Sequence, residues 1–390
     1  MGGGRKAQAQ GDATRACGIR GTVVKLDRGF PLVLLDAGDA LEGAAASAAE
    51  SEAPMPEARV RKAPVPSPQS LEAPDETAAE TKETPRPLVR CEHATALVKG
   101  EHVRAAIGDR VAVQLPAGHD KGIICAIEPR ATAFVRKDPA DRTAKQVLAA
   151  NFHLVAVVEP MNDLNRRRLE RELVLAHETG ASVAVVLTKA DLVDPAQRAG
   201  ILQDIRALAG RDTPVLGASL ADASSIGKVR ELVGPGCMAI LIGKSGVGKS
   251  SLVNALAGRA LQSTASVRAT DGKGRHTTVD RVLVEVPGGG AVVDMPGVRG
   301  LGLWDADQGL ARAFADVEGL AAQCRFRDCS HGDEPGCAVQ AALASGELAP
   351  ERLDSYRSLA REIAQVRVER EEARRMRGEK ASDARRRKRR

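Results

Sequence analysis

One stretch of the chain has residue types and spacing suited to binding phosphate groups. Residues 243–251 read GKSGVGKSS, follow the apolar run 238–242 and open the helical run 252–256. A glycine-rich turn lets successive backbone N–H groups approach phosphate oxygens, and the helix N-terminus adds a positive dipole. A ligand-free Gly/Ser turn is the alternative, which the strand before and the helix after disfavour. We predict a phosphate-binding loop made of Gly243, Lys244, Ser245, Gly246, Val247, Gly248, Lys249, Ser250 and Ser251.

Two downstream segments carry the side chains that phosphate chemistry with a metal ion requires. The first is VVDMPG, residues 292–297, in which Asp294 and Gly297 form a D-x-x-G pattern. In this pattern the aspartate reaches Mg²⁺ through water and the glycine N–H senses the γ-phosphate. The second is GRHTT, residues 274–278, where Thr277 or Thr278 can offer a hydroxyl to Mg²⁺. We predict that Lys249 contacts the β- and γ-phosphates and that Ser250 and one of the threonines bind Mg²⁺.

Recognition of guanine needs a carboxylate that accepts both N–H groups of the base, usually from an N/T-K-x-D sequence. No such sequence follows Gly297, but TKAD lies upstream at 188–191, directly after the apolar run 183–187. Nucleotides bind at the carboxyl ends of parallel strands. We therefore predict base contacts from Thr188, Lys189 and Asp191, and from Ser219 after the next strand. Because the base motif precedes the phosphate loop, the order indicates a circularly permuted GTPase.

A cluster of cysteine and histidine near the C-terminus is suited to a metal ion. Cys324, Cys329, His331 and Cys337 lie within fourteen residues. Three thiolates and one imidazole match tetrahedral Zn²⁺, and a filled set of four protein ligands leaves no water to activate. We predict one structural zinc ion per chain; free thiols beside a chance histidine are the alternative. The other cysteines are scattered and the total of seven is odd, so a disulfide framework is not expected.

The elements that must position these residues divide the 390-residue chain into several parts. About five short alternating segments between residues 17 and 130 predict a small β-barrel of the OB type. Alternating strands and helices over 131–305 predict a mostly parallel, doubly wound sheet, and residues 306–373 predict a zinc-binding helical region. Residues 1–16, and an Ala/Pro/Glu-rich insertion at 41–87 in a barrel loop, have the composition of disordered chain.

Charge is concentrated at the C-terminus. Residues 374–390 hold ten Arg and Lys and only two acids, Glu379 and Asp383, so this tail has a net charge of +8. Because the whole chain has a formal charge of +6, residues 1–373 have a net charge of −2. Such a basic tail is typical of a nucleic-acid-binding arm, with a merely solvated segment as the alternative. No apolar run approaches membrane-spanning length and the N-terminus lacks a signal-peptide pattern, so we expect a cytoplasmic protein without a membrane contact.

In this order of motifs the chain resembles the RsgA/YjeQ family of ribosome small-subunit-dependent GTPases. The resemblance runs from about residue 18 to 365, interrupted by the insertion. It rests on EPRATAFVRKD (128–138), NRRRLERELVLAHETGA (165–181), TKADL (188–192), GKSGVGKSSLVNAL (243–256), GKGRHTT (272–278), DMPGVRGLGLW (294–304) and the Cys/His cluster. It implies an OB-fold, a permuted GTPase core, a C-terminal zinc domain, and GTP hydrolysis stimulated by the small ribosomal subunit during its late maturation.

Three positions bear on the mechanism. Val298 stands where many GTPases have a glutamine that orients the attacking water, so intrinsic hydrolysis should be slow. The resemblance implies that His276 takes this role, with an ordinary loop histidine as the alternative. Many family members have asparagine where Thr188 stands, and that asparagine helps tie the base segment to the phosphate loop, so threonine here predicts modest nucleotide affinity. Ser219 lies in GASLAD, a poor match to the family's guanine-contacting turn.

The expected partners are the small ribosomal subunit and its rRNA, bound by a monomer. Aromatic residues make up only 2% of the chain, so we expect contacts with the shape and phosphates of structured RNA, through Arg136, Lys137 and the tail 374–390. Two other functions remain open at this point. One is a GTP-gated RNA-binding checkpoint with incidental turnover, and the other is an ATPase or kinase, in which Asp191 would have no role.

Overall fold

The computed structural model describes residues 18–27, 30–36, 86–98, 104–137, 145–259, 282–295, 303 and 306–388. Several sequence predictions fall outside these residues. They are the N-terminal segment 1–16, nearly all of the insertion 41–87, the residues Gly297 and Val298, and the segment that holds His276, Thr277 and Thr278.

The N-terminal part is a closed five-stranded barrel, which confirms the predicted OB-type architecture. Its strands follow the order β1-β2-β3-β5-β4 around the barrel. Val23, Val33 and Ile124 are fully buried inside it, as expected for alternating strands with one face turned inward. The bounds are β1 Ile19–Asp27, β2 Phe30–Leu35, β3 Leu88–His93, β4 Arg110–Gln114 and β5 Gly122–Ile127.

A two-stranded hairpin, β6 Ala133–Lys137 and β7 Lys145–Ala150, joins the barrel to the rest of the chain. This pairing was not predicted from the sequence. The hairpin lies against the barrel because the Ala150 N–H donates to the Ile107 carbonyl over 2.8 Å. At the same junction Arg130 pairs with the fully buried Asp109, with Nη2 2.7 Å from Oδ2.

The central part is a six-stranded sheet of order β10-β9-β8-β11-β13-β12, parallel except for the last pair. It confirms the predicted doubly wound sheet, and β12 and β13 form an antiparallel pair across a turn that contains Gly288 and Gly289. Every residue of β8 is buried, because helices cover both faces of the sheet. The strands are β8 Leu154–Pro160, β9 Ser182–Thr188, β10 Val215–Gly217, β11 Met238–Ile242, β12 Leu283–Val286 and β13 Gly290–Asp294; the helices are α1 Arg166–Glu178, α2 Pro195–Ala209, α3 Ala223–Leu232 and α4 Lys249–Ala257.

The C-terminal part is helical, as predicted, and shares one hydrophobic core with α1 and one face of the sheet. A long charged helix begins at Pro350 and runs without interruption into the basic tail as far as Lys388. Its bounds, and those of the helices before it, are α5 Asp307–Ala313, α6 Ala315–Ala321, α7 Ala338–Ser345 and α8 Pro350–Lys388. Among the described residues no helix combines the length and apolar character needed to cross a membrane.

Candidate functional site

The predicted phosphate-binding loop connects β11 to α4 at the carboxyl edge of the parallel strands. Its backbone needs glycine at the first position, since Gly243 has φ +146° and a Cβ there would lie 2.3 Å from the Val158 carbonyl oxygen. Gly248 is the N-cap of α4, has φ +104° and provides no side chain to cap the helix. Because Gly248 offers no side-chain acceptor to the first N–H groups of α4, these groups can donate to an anion at the helix N-terminus.

Lys249 lies at the first helical position and is 7% exposed. Its Nζ donates to the carbonyl oxygens of Gly243 at 2.8 Å and Lys244 at 3.1 Å, so the ammonium group curls back over the loop. Burial lowers the pKa of Lys249 below its ordinary value, while the charges of Asp294, Glu172 and Glu159 oppose that shift. The side chain thus holds a cation inside the loop, where phosphate oxygens would meet it.

Ser250 and Asp294 place two oxygen atoms beside the loop. Ser250 Oγ donates to Asp294 Oδ2 over 2.8 Å. Asp294 ends β13, which pairs in parallel with β11 and brings Leu241 opposite Asp294. Asp294 Oδ1 is buried and has no hydrogen-bond partner among the described residues. A hydroxyl beside a carboxylate with an unused buried oxygen is a donor set that suits Mg²⁺ and its bound water.

The TKAD segment lies across from the loop and is bonded to it. Thr188 Oγ1 donates to the Val247 carbonyl over 2.5 Å, and Lys189 Nζ donates to the Gly246 carbonyl over 3.1 Å. The premise for expecting modest affinity was that threonine would not make the link that asparagine makes. In this structure that premise does not hold, because the threonine hydroxyl makes the link; the affinity itself stays a prediction.

Asp191 and Ser219 are also brought together. Asp191 follows β9 in a single 3₁₀ turn that starts after Lys189, whose φ is +56°. Ser219 Oγ donates to Asp191 Oδ1 over 2.7 Å, and this bond holds the pKa of the exposed Asp191 carboxyl below its usual value. Ser219 therefore orients the carboxylate predicted to bind guanine. Its predicted direct contact with the base stays a prediction.

Two buried carboxylates beside the loop were not identified from the sequence. Glu159 at the end of β8 is fully buried, and Arg168 on α1 bonds both of its carboxylate oxygens, with Nε 2.5 Å from Oε1. Glu172, one turn further along α1, is 4% exposed. The signal was available, because a glutamate at position 172 falls between Leu169 and Leu173 on the apolar stripe of the helix.

The Cys/His cluster forms as predicted, 30 residues beyond Asp294 in sequence. Cys324 Sγ lies 3.8 Å from Cys337 Sγ, and these two sulfurs lie 3.6 and 3.7 Å from His331 Nδ1. A tetrahedron with Zn–S of about 2.3 Å and Zn–N of about 2.0 Å has S–S edges of about 3.8 Å and S–N edges of about 3.5 Å. All four ligand atoms, including that of Cys329, lie within 4.8 Å of one another. This cluster can hold a metal ion.

One buried arginine joins the C-terminal helices to the sheet domain. Arg352 on α8 has a side chain that is 10% exposed and donates to Glu170 of α1 over 2.8 Å. It also bonds both oxygens of Asp316, at 3.0 and 2.9 Å, and lies 3.9 Å above the ring of Phe314. Next to it on α1, Arg171 pairs with Glu362 of α8.

Comparison with known proteins gives a consistent result. Residues 127–304 match the family described as RsgA GTPase. Proteins named small ribosomal subunit biogenesis GTPase RsgA are 47% identical in Streptomyces coelicolor, over 66% of this chain and 70% of the relative, and 45% identical in Streptomyces avermitilis, over 73% and 76%. The fold is similar to YjeQ from Thermotoga maritima, with a TM-score of 0.57 and 21% identity over 89% of this chain and 98% of that one. It is also similar to YloQ, described as a circularly permuted GTPase, with a TM-score of 0.55 and 20% identity over 89% and 95%.

Proposed function

The chain belongs to the RsgA family of circularly permuted GTPases, which act in ribosome biogenesis, and from this premise we propose that the small ribosomal subunit stimulates its hydrolysis of GTP to GDP and phosphate. The observation that carries the proposed GTP-binding site is the bond between the Thr188 hydroxyl and the Val247 carbonyl. It joins the base-binding segment to the phosphate-binding loop, although the two segments occur in permuted order along the chain. We further propose that hydrolysis times a late step in maturation of the subunit.

In this proposal the loop 243–251 binds the phosphates, and Asp191 accepts both N–H groups of the guanine. Ser219 supports that contact because its hydroxyl fixes one oxygen of the Asp191 carboxylate. Lys249 supplies positive charge to the β- and γ-phosphates. Ser250 would hold Mg²⁺ directly, together with Thr277 or Thr278, and Asp294 would hold it through water. The metal neutralises phosphate charge when bound.

Catalysis in this proposal depends on a group outside the loop. Val298 has no hydrogen-bonding side chain, so it cannot orient the attacking water. His276, together with Gly297, lies in the part of the chain that the structure does not describe. We propose that His276 positions the water when the chain is bound to the small subunit. Intrinsic turnover is then slow and subunit-stimulated turnover is fast.

The Cys/His cluster supports one structural zinc ion per chain. The spacing of Cys324, His331 and Cys337 matches the edges of a tetrahedron around zinc, and the sulfur of Cys329 lies within 4.8 Å of these three atoms. The carbonyl of His331 accepts bonds from Gln340 of α7 and Arg357 of α8. Because these bonds tie the ligand loop to two helices, bound zinc would stabilise the C-terminal part as a whole.

We propose that the chain acts as a cytoplasmic monomer that binds rRNA. The basic tail 374–390 and the pair Arg136 and Lys137 would contact phosphates. The tail continues α8, so its charges are carried at the end of a helix that is anchored to the GTPase core. Phosphate contacts of this kind release counterions and make binding weaken steeply as salt increases.

The experiment that tests the proposal is GTP turnover by the full chain with and without purified small subunits. We expect strong stimulation for the wild type and none for His276→Ala, which should still bind GTP. Asp191→Asn should shift preference from guanosine to xanthosine nucleotides, because the amide can no longer accept two N–H bonds from guanine. Equal turnover with and without subunits would refute the proposed activator, and an unchanged base preference would refute the role of Asp191.

A further inference from the structure

The cluster formed by Glu159, Arg168 and Glu172 beside the phosphate-binding loop has no role in the mechanism above. The cluster has two carboxyl groups but only one guanidinium group. Arg168 bonds both carboxylate oxygens of Glu159 and so neutralises the charge of Glu159. Glu172 is buried, and its Oε2 has no hydrogen-bond partner among the described residues. A buried carboxylate without a cation of its own is costly, and such a group retains its proton instead.

The surroundings of Glu172 favour the protonated form. The pKa of Glu172 is raised to about 8, first by burial and then by the charge of Glu159 and a side-chain hydrogen bond to it, against the opposing charges of Arg168 and Lys249. The groups that face Glu172 are thus Glu159 from β8, Arg168 from its own helix and Lys249 from α4. Two more acids act at the margins, Asp163 on Arg168 and Asp294 on Lys249.

Glu172 affects the predicted phosphate site through Lys249. The ammonium group is bonded only to the loop carbonyls of Gly243 and Lys244 in the described part of the chain. A neutral Glu172 therefore leaves the charge of Lys249 to an incoming phosphate. An ionised Glu172 would attract the ammonium group and repel phosphate at the same time, because both effects act in a site shielded from water.

We propose that Glu172 is a positioning residue for the GTPase reaction: in its protonated form it braces Glu159 and leaves Lys249 free to bind phosphate, and loss of its proton to water weakens nucleotide binding. This inference rests on the proposed contact between Lys249 and the phosphates. It predicts that affinity for nucleotide decreases at alkaline pH for a reason that lies in the protein and not in the nucleotide.

The test is binding of Mg²⁺-GDP to the full chain by calorimetry at pH 7, 8 and 9 and constant ionic strength. If only the protonated form binds, a pKa of about 8 gives a loss of roughly tenfold between pH 7 and pH 9. Glu172→Gln, which mimics the protonated group and cannot ionise, should show at most a small residual loss. Ionisations of GDP are common to both proteins and cancel in the comparison.

A matched control is available on the same helix. Glu170 is as buried as Glu172 but is paired with Arg352 on the side away from the loop. Glu170→Gln should keep the pH dependence of the wild type. Infrared spectra at pH 7 should contain the carbonyl band of a protonated carboxylic acid that Glu172→Gln lacks. This measurement needs only folded protein.

The outcomes separate the two hypotheses. If the wild type and Glu172→Gln lose affinity in parallel, or if the infrared band is unchanged, the role of Glu172 is refuted while the phosphate site stands. If Lys249→Ala leaves GDP affinity unchanged, the proposed phosphate contact itself is refuted, and this inference with it. A pH-dependent KM at constant kcat for GTP turnover, present in the wild type and absent from Glu172→Gln, would support it.

Discussion

Replacing Arg352 with leucine should weaken the attachment of the C-terminal helices to the GTPase core without unfolding either, because the two parts still share a hydrophobic core. Arg352 is a buried group that connects four elements to α8, since it bonds Glu170 of α1, Asp316 of α6, and the carbonyls of Leu208 in α2 and Ala313 at the end of α5. The leucine keeps some of the contact with the Phe314 ring but removes every one of these bonds. It also leaves Glu170, whose side chain is 5% exposed, without its counterion.

The structure sets the size of the effect. Breaking a buried ion pair by removing one partner costs about 3 to 5 kcal/mol. Asp316 is 47% exposed and can be solvated by water, so its share is small and we take the lower end, about 3 kcal/mol. The double variant Glu170→Gln/Arg352→Leu should recover part of this loss, because it no longer buries an unpaired charge.

Hydrogen exchange measures the effect where it occurs. A loss of about 3 kcal/mol in local stability accelerates amide exchange in α5 and in the first turns of α8 by roughly a hundredfold. The matched control is Arg367→Leu on the same helix, whose pair with Asp307 is 49% and 60% exposed and should contribute less than about 1 kcal/mol. Equal exchange in the Arg352 and Arg367 variants would show that the buried pair does not hold the helices to the core.

Three further outcomes follow from single sites. Thr188→Val should weaken GDP binding about tenfold in calorimetry, because the Val247 carbonyl loses its buried donor, and Thr188→Ser should restore it. Cys329→Ala should lower zinc content by elemental analysis and expose residues 320–348 to protease, and retention of one zinc per chain would contradict the ligand set. Because the pKa of Glu172 is raised, the stability it contributes is present below about pH 4.5 and lost as pH rises through about 8. Glu172→Gln should therefore be more stable than the wild type in chemical unfolding at pH 8, by up to about 4 kcal/mol, with no difference at pH 4.

Features encoded by contiguous residues could be predicted from the sequence. The predicted phosphate-binding loop depends on glycines at fixed spacing between a strand and a helix, and the Cys/His cluster that can hold a metal ion lies within fourteen residues, so pattern alone indicates both sites. The bond from Thr188 to Val247 could not be predicted, because its acceptor is a backbone carbonyl 59 residues away and any residue type offers one. Threonine was not expected to link the base segment to the phosphate loop because its side chain is shorter than that of asparagine. The distance between the two segments, which the threonine hydroxyl does span, is not encoded in the sequence pattern.

The hairpin β6–β7 and the pair Glu159–Arg168 were missed for different reasons. The hairpin strands are short, and their register shifts between Phe134 and Val135, which breaks the alternation that identifies a strand. The ion pair spans two elements, and its position depends on how α1 packs against β8. Helical periodicity shows that residue 172 faces the core, but only the fold shows that the core at this point adjoins Lys249 of the predicted phosphate-binding loop.

The C-terminal helices reach the site by two routes, and the Arg352 variant separates them. One route is covalent, since the chain passes from Asp294 to the start of α5 at Asp307 within thirteen residues, as the permuted order dictates. The other is α1, where Glu170 and Arg171 pair with α8 while Glu172 faces the surroundings of Lys249. Arg352→Leu breaks the link of the second route at Glu170 and leaves the covalent connection of the first route intact, although the end of α5 also loses its bond to Arg352. Loss of subunit-stimulated turnover in that variant, with GDP affinity retained, would show that stimulation passes through α1; full stimulation would assign it to the segment after Asp294.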